Sequence, residues 1–437
     1  MAKSKYGGVY WCHNCNVPLL TKDFVHEAHC DLCGGEGRYV AFDLKPLFDE
    51  ERKLLEECLS ITIPVESFIS HTRIVTDGRT YCHFRVDDGH ISLKKSVENI
   101  DSKRDHEQYG SNEEYWQACV DANRTVLEAI EAEALRFIRE TAAEYEDCEW
   151  AILFSSGKDS VVAAWLTQQA LGKTIPLVYA DTTNEFPASI EYANNFATEY
   201  GFDLHIERPN GRFLDFCTVL DPPSHFARWC CTVVKSNPVS KYIQERGEVL
   251  CFDGIRAAES PSRERYPRVQ PSRKLSGQIS AHPIQKWLGF GVWLYIFDKG
   301  IPINEEYKRG QWRIGCMLCP FNTPYDELLV QSFHPQVWSR FERILLDYAD
   351  KNGYSSDWIY NGQWKRRKVS HQFHNVVEQR TADTQVTFIF EQPLERHLLE
   401  YLKPFGELTI STTGEWRIQS DDQDSFTTGQ IGRHRIF

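Results

Sequence analysis

Three things missing from this sequence narrow its class before any motif is read. It has no long apolar run: hydrophobic residues make up 41% of 437 positions but fall in short stretches, which speaks against a membrane-spanning helix. The opening MAKSKYGG has no apolar segment of the secretory kind, so a cytoplasmic location and no membrane partner are expected. There is no surplus of positive charge. Against 62 Asp and Glu stand 49 Lys and Arg, and the formal net charge of −13 argues against wholesale coating by nucleic acid while allowing a local basic patch. Cysteine, by contrast, is plentiful, though none follows Cys319. Fourteen cysteines without a secretory signal point to metal or redox chemistry rather than disulfides. The length suggests two to four domains.

Four of the cysteines open the chain. In WCHNC and HCDLC, Cys12 and Cys15 form one CxxC and Cys30 and Cys33 a second. Each pair places two thiolates on a tight knuckle, and two knuckles at this spacing predict a zinc ribbon over residues 1–45. Zn2+ is the expected ion; iron of the rubredoxin type uses the same ligands. The expected role is to staple a domain too small to fold alone, so that the remainder would survive its loss. Residues 46–112 read as a small β-rich domain and linker. Its clearest hairpin is TRIVTDGRTYCHFRV, turning at Asp77-Gly78, and ENIDSKRDHEQYGSNEE follows as linker. Adjacent Cys82 and His83 point to opposite faces of a strand and are read structurally.

From Tyr115 a helical apolar spacing runs to about Asp147, and at Trp150 the pattern changes. WAILF, LVYA, FDLHIE and VLCF alternate with helical stretches, which predicts an α/β, doubly wound parallel sheet over residues 113–335. Residues 336–437 read as a helical then α+β extension. Its WKRRKVSHQFH run (Trp364, Lys365, Arg366, Arg367, Lys368, His371, His374) could meet a nucleic-acid backbone or form a solvated face.

The stretch FSSGKDS sits between the first of these strands and a helix. Such a loop aims backbone N–H groups and a helix N-terminus at one point, which suits an anion. Gly157 permits close approach, Ser155, Ser156 and Ser160 add hydroxyls, and Lys158 adds a point charge. Asp159 could bind Mg2+ or cap the helix. The Walker A spacing is absent.

This loop resembles the SGGxDS motif of the PP-loop ATP pyrophosphatases, with Ser156 where the first of the two family glycines would stand. ADTTNEFP, RWCCTVVKSNP, GIRAAESPSR and the CxxC of RIGCMLCP follow in the order of the PAPS reductase-like branch. The resemblance covers about Asn123 to Pro320 and implies an adenine nucleotide α-hydrolase-like fold that cleaves ATP to AMP and pyrophosphate. By the same resemblance Ser155, Ser156, Gly157, Lys158, Asp159 and Ser160 cradle the pyrophosphate. Arg256 and Arg263 serve the α-phosphate or an acceptor phosphate, and Asp181 and Glu185 serve magnesium or nucleotide.

Cys230, Cys231, Cys316 and Cys319 form a CC…CxxC set that thiolate chemistry suits to an iron–sulfur cluster, and in family members that pattern holds a 4Fe–4S cluster. Buried cysteines or a second zinc are the alternatives. Assimilatory reductases of the family use a C-terminal nucleophilic cysteine, which this chain lacks. The resemblance therefore favours the branch that couples ATP cleavage to sulfur insertion, as in Dnd- and Ssp-type DNA phosphorothioation. Its implied partners are a cysteine desulfurase as sulfur donor, other DNA-modification subunits, and nucleic acid, DNA in preference to RNA. A sulfonucleotide reductase using an external thiol, a tRNA-thiolation enzyme and a non-catalytic nucleotide-binding module are the competing readings.

Overall fold

The computed structural model describes residues 7–23, 28–87, 89–96, 109, 112–272 and 275–367, and beyond these the backbone of six strands between 376 and 436. The chain divides into two compact units. One comprises 1–180, 185–206 and 246–339; the other comprises 181–184, 207–245 and 340–437.

In the first unit, β1 (Gly8–Cys12), β2 (Val17–Thr21), β3 (Ala28–His29) and β4 (Glu36–Ala41) make an antiparallel sheet ordered β2-β1-β4-β3. A meander follows: β5 (Lys45–Pro46), β6 (Phe68–Ser70), β7 (Arg73–Thr76), β8 (Arg79–Asp87) and β9 (His90–Ser96). Asp77 and Gly78 turn the expected hairpin at φ 51° and 68°, the left-handed pair that its right-handed strand twist requires. Helix α1 (Asp49–Leu59) departs from the β-rich expectation for this segment. Its first turn is acidic, which suits a helix N-terminus, and Leu55 and Leu59, one turn apart, are both buried.

Helices α2 (Asn112–Asp121) and α3 (Arg124–Glu144) lead into the α/β layer. There β10 (Glu149–Phe154), α4 (Lys158–Leu171), β11 (Leu177–Ala180), α5 (Pro187–Tyr200) and β12 (Leu204–Glu207) alternate. Helices α6 (Phe213–Val219) and α7 (Asn237–Gln244) intervene in sequence before β13 (Val249–Phe252), β14 (Val269–Pro271) and β15 (Gln278–Ala281). The sheet order is β12-β11-β10-β13-β15-β14; β11, β10, β13 and β15 run parallel, and β14 is an antiparallel edge. Helices α8 (Gly289–Lys299), α9 (Glu305–Lys308) and α10 (Pro324–Phe333) complete the unit. Their class is the expected one. Strands such as AILF, with Ala151, Ile152 and Phe154 buried, form the parallel sheet, as buried-type strands do.

One apolar core runs through this unit, from Val9, Tyr10 and Trp11 on β1 to Ile152 and Phe154 on β10 and Trp293 and Tyr295 on α8. Asn123, between α2 and α3, binds the ribbon directly: its Oδ1 accepts the Leu20 amide at 2.6 Å and its Nδ2 donates to the Pro18 carbonyl at 2.9 Å. The ribbon therefore shares its core with the α/β layer. Burying its aromatic residues gives it a hydrophobic hold of about 2–3 kcal/mol per side chain on the α/β layer.

In the second unit, a π-helical turn, Cys231–Ser236, runs into α7. Phe341 on α11 (Pro335–Lys351) packs edge-on against Trp364 at 5.3 Å, with α12 (Asp357–Tyr360) between them in sequence. The basic run does not form a solvated face here. Trp364, Lys365 and Arg367 are buried, and Arg366 alone of the four is exposed. The Lys365 carbonyl accepts the His225 amide at 2.7 Å, and the Arg367 carbonyl accepts the Ser224 hydroxyl at 2.8 Å. Lys368, His371 and His374 lie outside the described residues, as does LERHLLEYLKPFG. The extension's strands form two three-stranded sheets, β16 (Val376–Ala382), β17 (Gln385–Phe390) and β21 (His434–Ile436), and β18 (Glu407–Ile410), β19 (Glu415–Gln419) and β20 (Phe426–Gln430). No helix among the described residues is long and apolar enough to cross a membrane.

Candidate nucleotide and metal sites

The serine-rich loop is the strand-to-helix turn between β10 and α4 at the carboxyl edge of the parallel strands, where open α/β sheets bind ligands. Ser160 closes it: its hydroxyl donates to the Gly157 carbonyl at 2.9 Å and accepts the Ser155 amide at 3.1 Å. Ser156 holds φ 58°. A family glycine would adopt that backbone freely, whereas serine is strained there, and its hydroxyl compensates by donating to the Ser189 carbonyl at 2.6 Å. Gly157 caps α4 with extended backbone, and an added Cβ would make only ordinary contacts, with Ser155 Oγ and the Tyr307 hydroxyl at 3.4 Å. Among the described residues no protein acceptor is found for the amides of Ser156, Gly157 or Asp159. Unpaired donors at a helix N-terminus are the arrangement that suits an anion.

Lys158 and Asp159 are paired at 2.6 Å, and the second Asp159 oxygen accepts Arg256 Nε, also at 2.6 Å. Burial pushes the Asp159 carboxyl up, but Arg256 and Lys158 outweigh it and hold the group below its ordinary range. Burial alone would depress Arg256; Asp159, Asp43 and Glu259 instead keep it firmly charged. The guanidinium is thus committed to positioning Asp159, and its backbone N–H donates to Glu259 at 3.1 Å. Arg263 pairs with the same Glu259 and is partly exposed. Glu185 Oε1 accepts the Cys316 thiol at 3.8 Å within the first unit. Asp181 belongs to the second unit, where its oxygens cap the Thr183 amide at 2.9 Å and pair with Arg208 at 2.7 Å, the loop-cap arrangement.

Four residues that the motifs did not single out hold the loop in place. The Tyr307 hydroxyl accepts the Lys158 amide at 2.9 Å, and Asn304 Nδ2 donates to the Ser156 carbonyl at 3.4 Å and to Ser189 Oγ at 3.1 Å. Gly254 follows β13, and a Cβ there would lie 2.5 Å from the Asp159 backbone, so nothing larger fits. Asp43 lies 3.9 Å from Arg256, and burial pushes its carboxyl up against the pull of that guanidinium and of the Phe290 amide. Gly254, Asn304 and Tyr307 fall inside the runs GIRAAE and IPINEEYKRG; Asp43 carried no signal at all.

The N-terminal quartet assembles as expected: the sulfurs of Cys12, Cys15, Cys30 and Cys33 lie within 4.8 Å of one another. Two of the separations, Cys12 to Cys33 at 3.5 Å and Cys15 to Cys30 at 3.9 Å, bracket the edge of a tetrahedron with metal–sulfur bonds of zinc length, about 3.8 Å. The Gly35 amide, 3.4 Å from the Cys33 sulfur, leads the effects that lower that thiol to about 7. This donor set fits Zn2+.

The late cysteines are described pair by pair. In the second unit, Cys231 opens the π-helical turn. The Cys230 thiol and then, against burial, Arg228 (3.6 Å from the sulfur) and Lys235 lower it to about 5, which favours a thiolate ligand. In the first unit, the Cys316–Cys319 knuckle is closed by Asn322, which donates its amide to the Cys319 carbonyl at 3.0 Å and its side chain to the Met317 carbonyl at 2.7 Å.

The family model for the phosphoadenosine phosphosulfate reductase domain matches residues 149–322, which contain the loop, Arg256 and both late cysteine pairs. These residues form a PP-loop domain of the PAPS reductase-like family. An uncharacterised protein of Methanocaldococcus jannaschii is 33% identical over 261 residues, 59% of this chain and 54% of that one. Sulfate adenylyltransferase subunit 2 of Shewanella loihica is 29% identical over 42% of this chain and 68% of its own. The chain thus spans little more than half the length of the first of these relatives. Among solved structures, the PAPS reductase of Candida auris gives a TM-score of 0.36 at 20% identity, over 44% of this chain and 93% of that one. The tRNA thiolase of Methanococcus maripaludis with its 4Fe–4S cluster gives 0.32 at 17%, over 55% and 80%.

Proposed function

We propose that this protein cleaves ATP to AMP and pyrophosphate in order to adenylate a nucleic-acid phosphate, which sulfur then attacks, as in DNA phosphorothioate modification. The observation that carries the reading is the loop itself: the amides of Ser156, Gly157 and Asp159, without a protein acceptor among the described residues, lie at the start of α4 beside Lys158. That cradle suits the departing pyrophosphate, with Lys158 neutralising its growing charge. Mg2+ would enter with the nucleotide, and Asp159 is the carboxylate at hand.

In this scheme an oxygen of the acceptor phosphate attacks the α-phosphorus of ATP, and the bond to pyrophosphate breaks. The adenylated phosphate now carries a leaving group. A sulfur nucleophile at the hydrosulfide level attacks the acceptor phosphorus, and AMP departs with the displaced oxygen. Cysteine desulfurase is the proposed source of that sulfur, with a thiol reductant releasing it from persulfide. Cys230, Cys231, Cys316 and Cys319 are the proposed ligands of a 4Fe–4S cluster, which when bound would hold or relay the sulfur. The name of the adenylyltransferase relatives supports adenylyl transfer and supplies a second reading in which sulfate is the acceptor.

Anaerobically purified protein should convert ATP to AMP and pyrophosphate, and cells carrying it should hold phosphorothioates detectable by mass spectrometry of digested DNA. ADP and orthophosphate as products would overturn the PP-loop reading. Pyrophosphate release stimulated by sulfate, with no sulfur in DNA, would favour the second.

A further inference from the structure

The nucleotide site has a member outside the matched domain. Asp43 follows β4, and its carboxyl accepts the Gly289 amide at 2.9 Å and the Phe290 amide at 2.7 Å, at the N-terminus of α8. Capping accounts for those two bonds. It does not account for the third neighbour: Arg256 Nη1 lies 3.9 Å from Asp43 Oδ2. Arg256 is itself buried, and its Nε is fixed on Asp159. Lys158, Asp159, Arg256 and Asp43 therefore form a row of alternating charge running from the loop into the N-terminal segment.

We propose that Asp43 is a positioning residue of the nucleotide site, holding Arg256 by one edge so that Asp159 keeps its other oxygen for Lys158, whose ammonium is then set toward the reacting phosphates. The proposal rests on the ATP-pyrophosphatase reading above. A buried guanidinium needs neutralising partners. With Asp43 in place, Arg256 takes one oxygen of Asp159 and leaves the second to Lys158. Without it, Arg256 turns to grip both oxygens of Asp159, the bidentate geometry that guanidinium and carboxylate favour. Lys158 is then displaced from its setting but keeps its charge. Turnover should fall, while ATP binding, to which a freed ammonium still contributes, should not weaken.

Two variants test this by different routes. Asp43→Asn presents an amide N–H₂ either to Arg256 or to a backbone N–H, donor facing donor. Gly289→Ala keeps every charge but places a methyl 2.6 Å from Asp43 Oδ2, forcing the carboxyl aside. In each, kcat for AMP and pyrophosphate formation should fall at least about tenfold while the Kd for ATP stays within about threefold of wild type or tightens. Asp43→Asn added to Arg256→Gln should cost nothing further. A general loss of structure would instead weaken binding and turnover together, and that result overturns the proposal, as do wild-type kcat in both variants or additive losses in the double substitution. Wild-type protein that forms no AMP and pyrophosphate overturns the pyrophosphatase reading and this proposal with it, an outcome distinct from active variants.

Discussion

The cysteine quartet and the nucleotide loop lie in the same compact unit and are both announced by short motifs, yet they are built in opposite ways. The quartet closes locally: its sulfurs meet across at most 21 residues of chain, on knuckles joined by one small sheet. The loop is contiguous in sequence but held from afar, by Tyr307 across 149 residues, Asn304 across 148 and Arg256 across 97. A metal site made of knuckles needs little beyond its own spacing. An anion cradle needs its amides left unpaired and its side chains aimed, and only other parts of the fold can impose that.

The largest expected effect falls on the quartet. Cys12 is fully buried on β1, beside Trp11 in the shared core. Cys12→Ser should remove one zinc per chain and lower stability by about 4 kcal/mol, read by metal analysis and thermal melting. Zinc content equal to wild type would refute the site. Melting confined to the first forty or so residues, with ATP cleavage intact, would restore the detachable ribbon that the sequence suggested.

Next comes a long-range contact of the ribbon itself. Asn16 Nδ2 donates to Glu66 at 3.2 Å and to Asp77 at 2.8 Å, and burial, then Asp77, raises Glu66 to about 7. Folded Glu66 therefore holds its proton above the pH at which the unfolded chain loses it. Stability contributed by the protonated form is complete below about pH 4.5 and is lost as pH rises through 7, by at most about 3 kcal/mol. Chemical denaturation from pH 5 to 8 should show this slope, and Glu66→Gln should flatten it. An unchanged slope in the variant would show that the ribbon's surroundings do not sense this carboxyl.

The loop's dependence on distant residues is tested by two glycines. Gly254→Ala drives a methyl into the Asp159 backbone, and ATP cleavage should fall about a hundredfold with zinc retained. Gly157→Ala meets only ordinary contacts, so it should fold normally and lose nucleotide affinity instead. If Gly254→Ala is harmless, the loop is more self-sufficient than its contacts indicate. The smallest effect is Tyr307→Phe, which removes one acceptor from the Lys158 amide: about 1 kcal/mol, or roughly a fivefold loss in kcat/KM, measured against unchanged zinc content.

Much of this was legible beforehand. Both CxxC knuckles, the Asp77-Gly78 turn, the strand–loop–helix at Ser155–Ser160 and the parallel sheet follow from local spacing and alternation, which sequence carries directly. Helix α1 was hidden because its Leu55 and Leu59 gain meaning only from what buries them. The WKRRK run misled because charge alone does not report burial: Lys365 and Arg367 turn inward through contacts with His225, Ser224 and Pro222, all more than a hundred positions away.

By itself, then, the sequence determined the ribbon's ligands, the alternation of strands and helices in the α/β layer and the make-up of the loop, since each depends on residues near one another along the chain. Tertiary structure decided which charges face which. Arg256, read as a phosphate ligand, is drawn to Asp159 and Asp43 because a buried guanidinium must be neutralised where it lies. Gly254 and Tyr307 matter through close approach, and close approach exists only once distant segments of chain have packed.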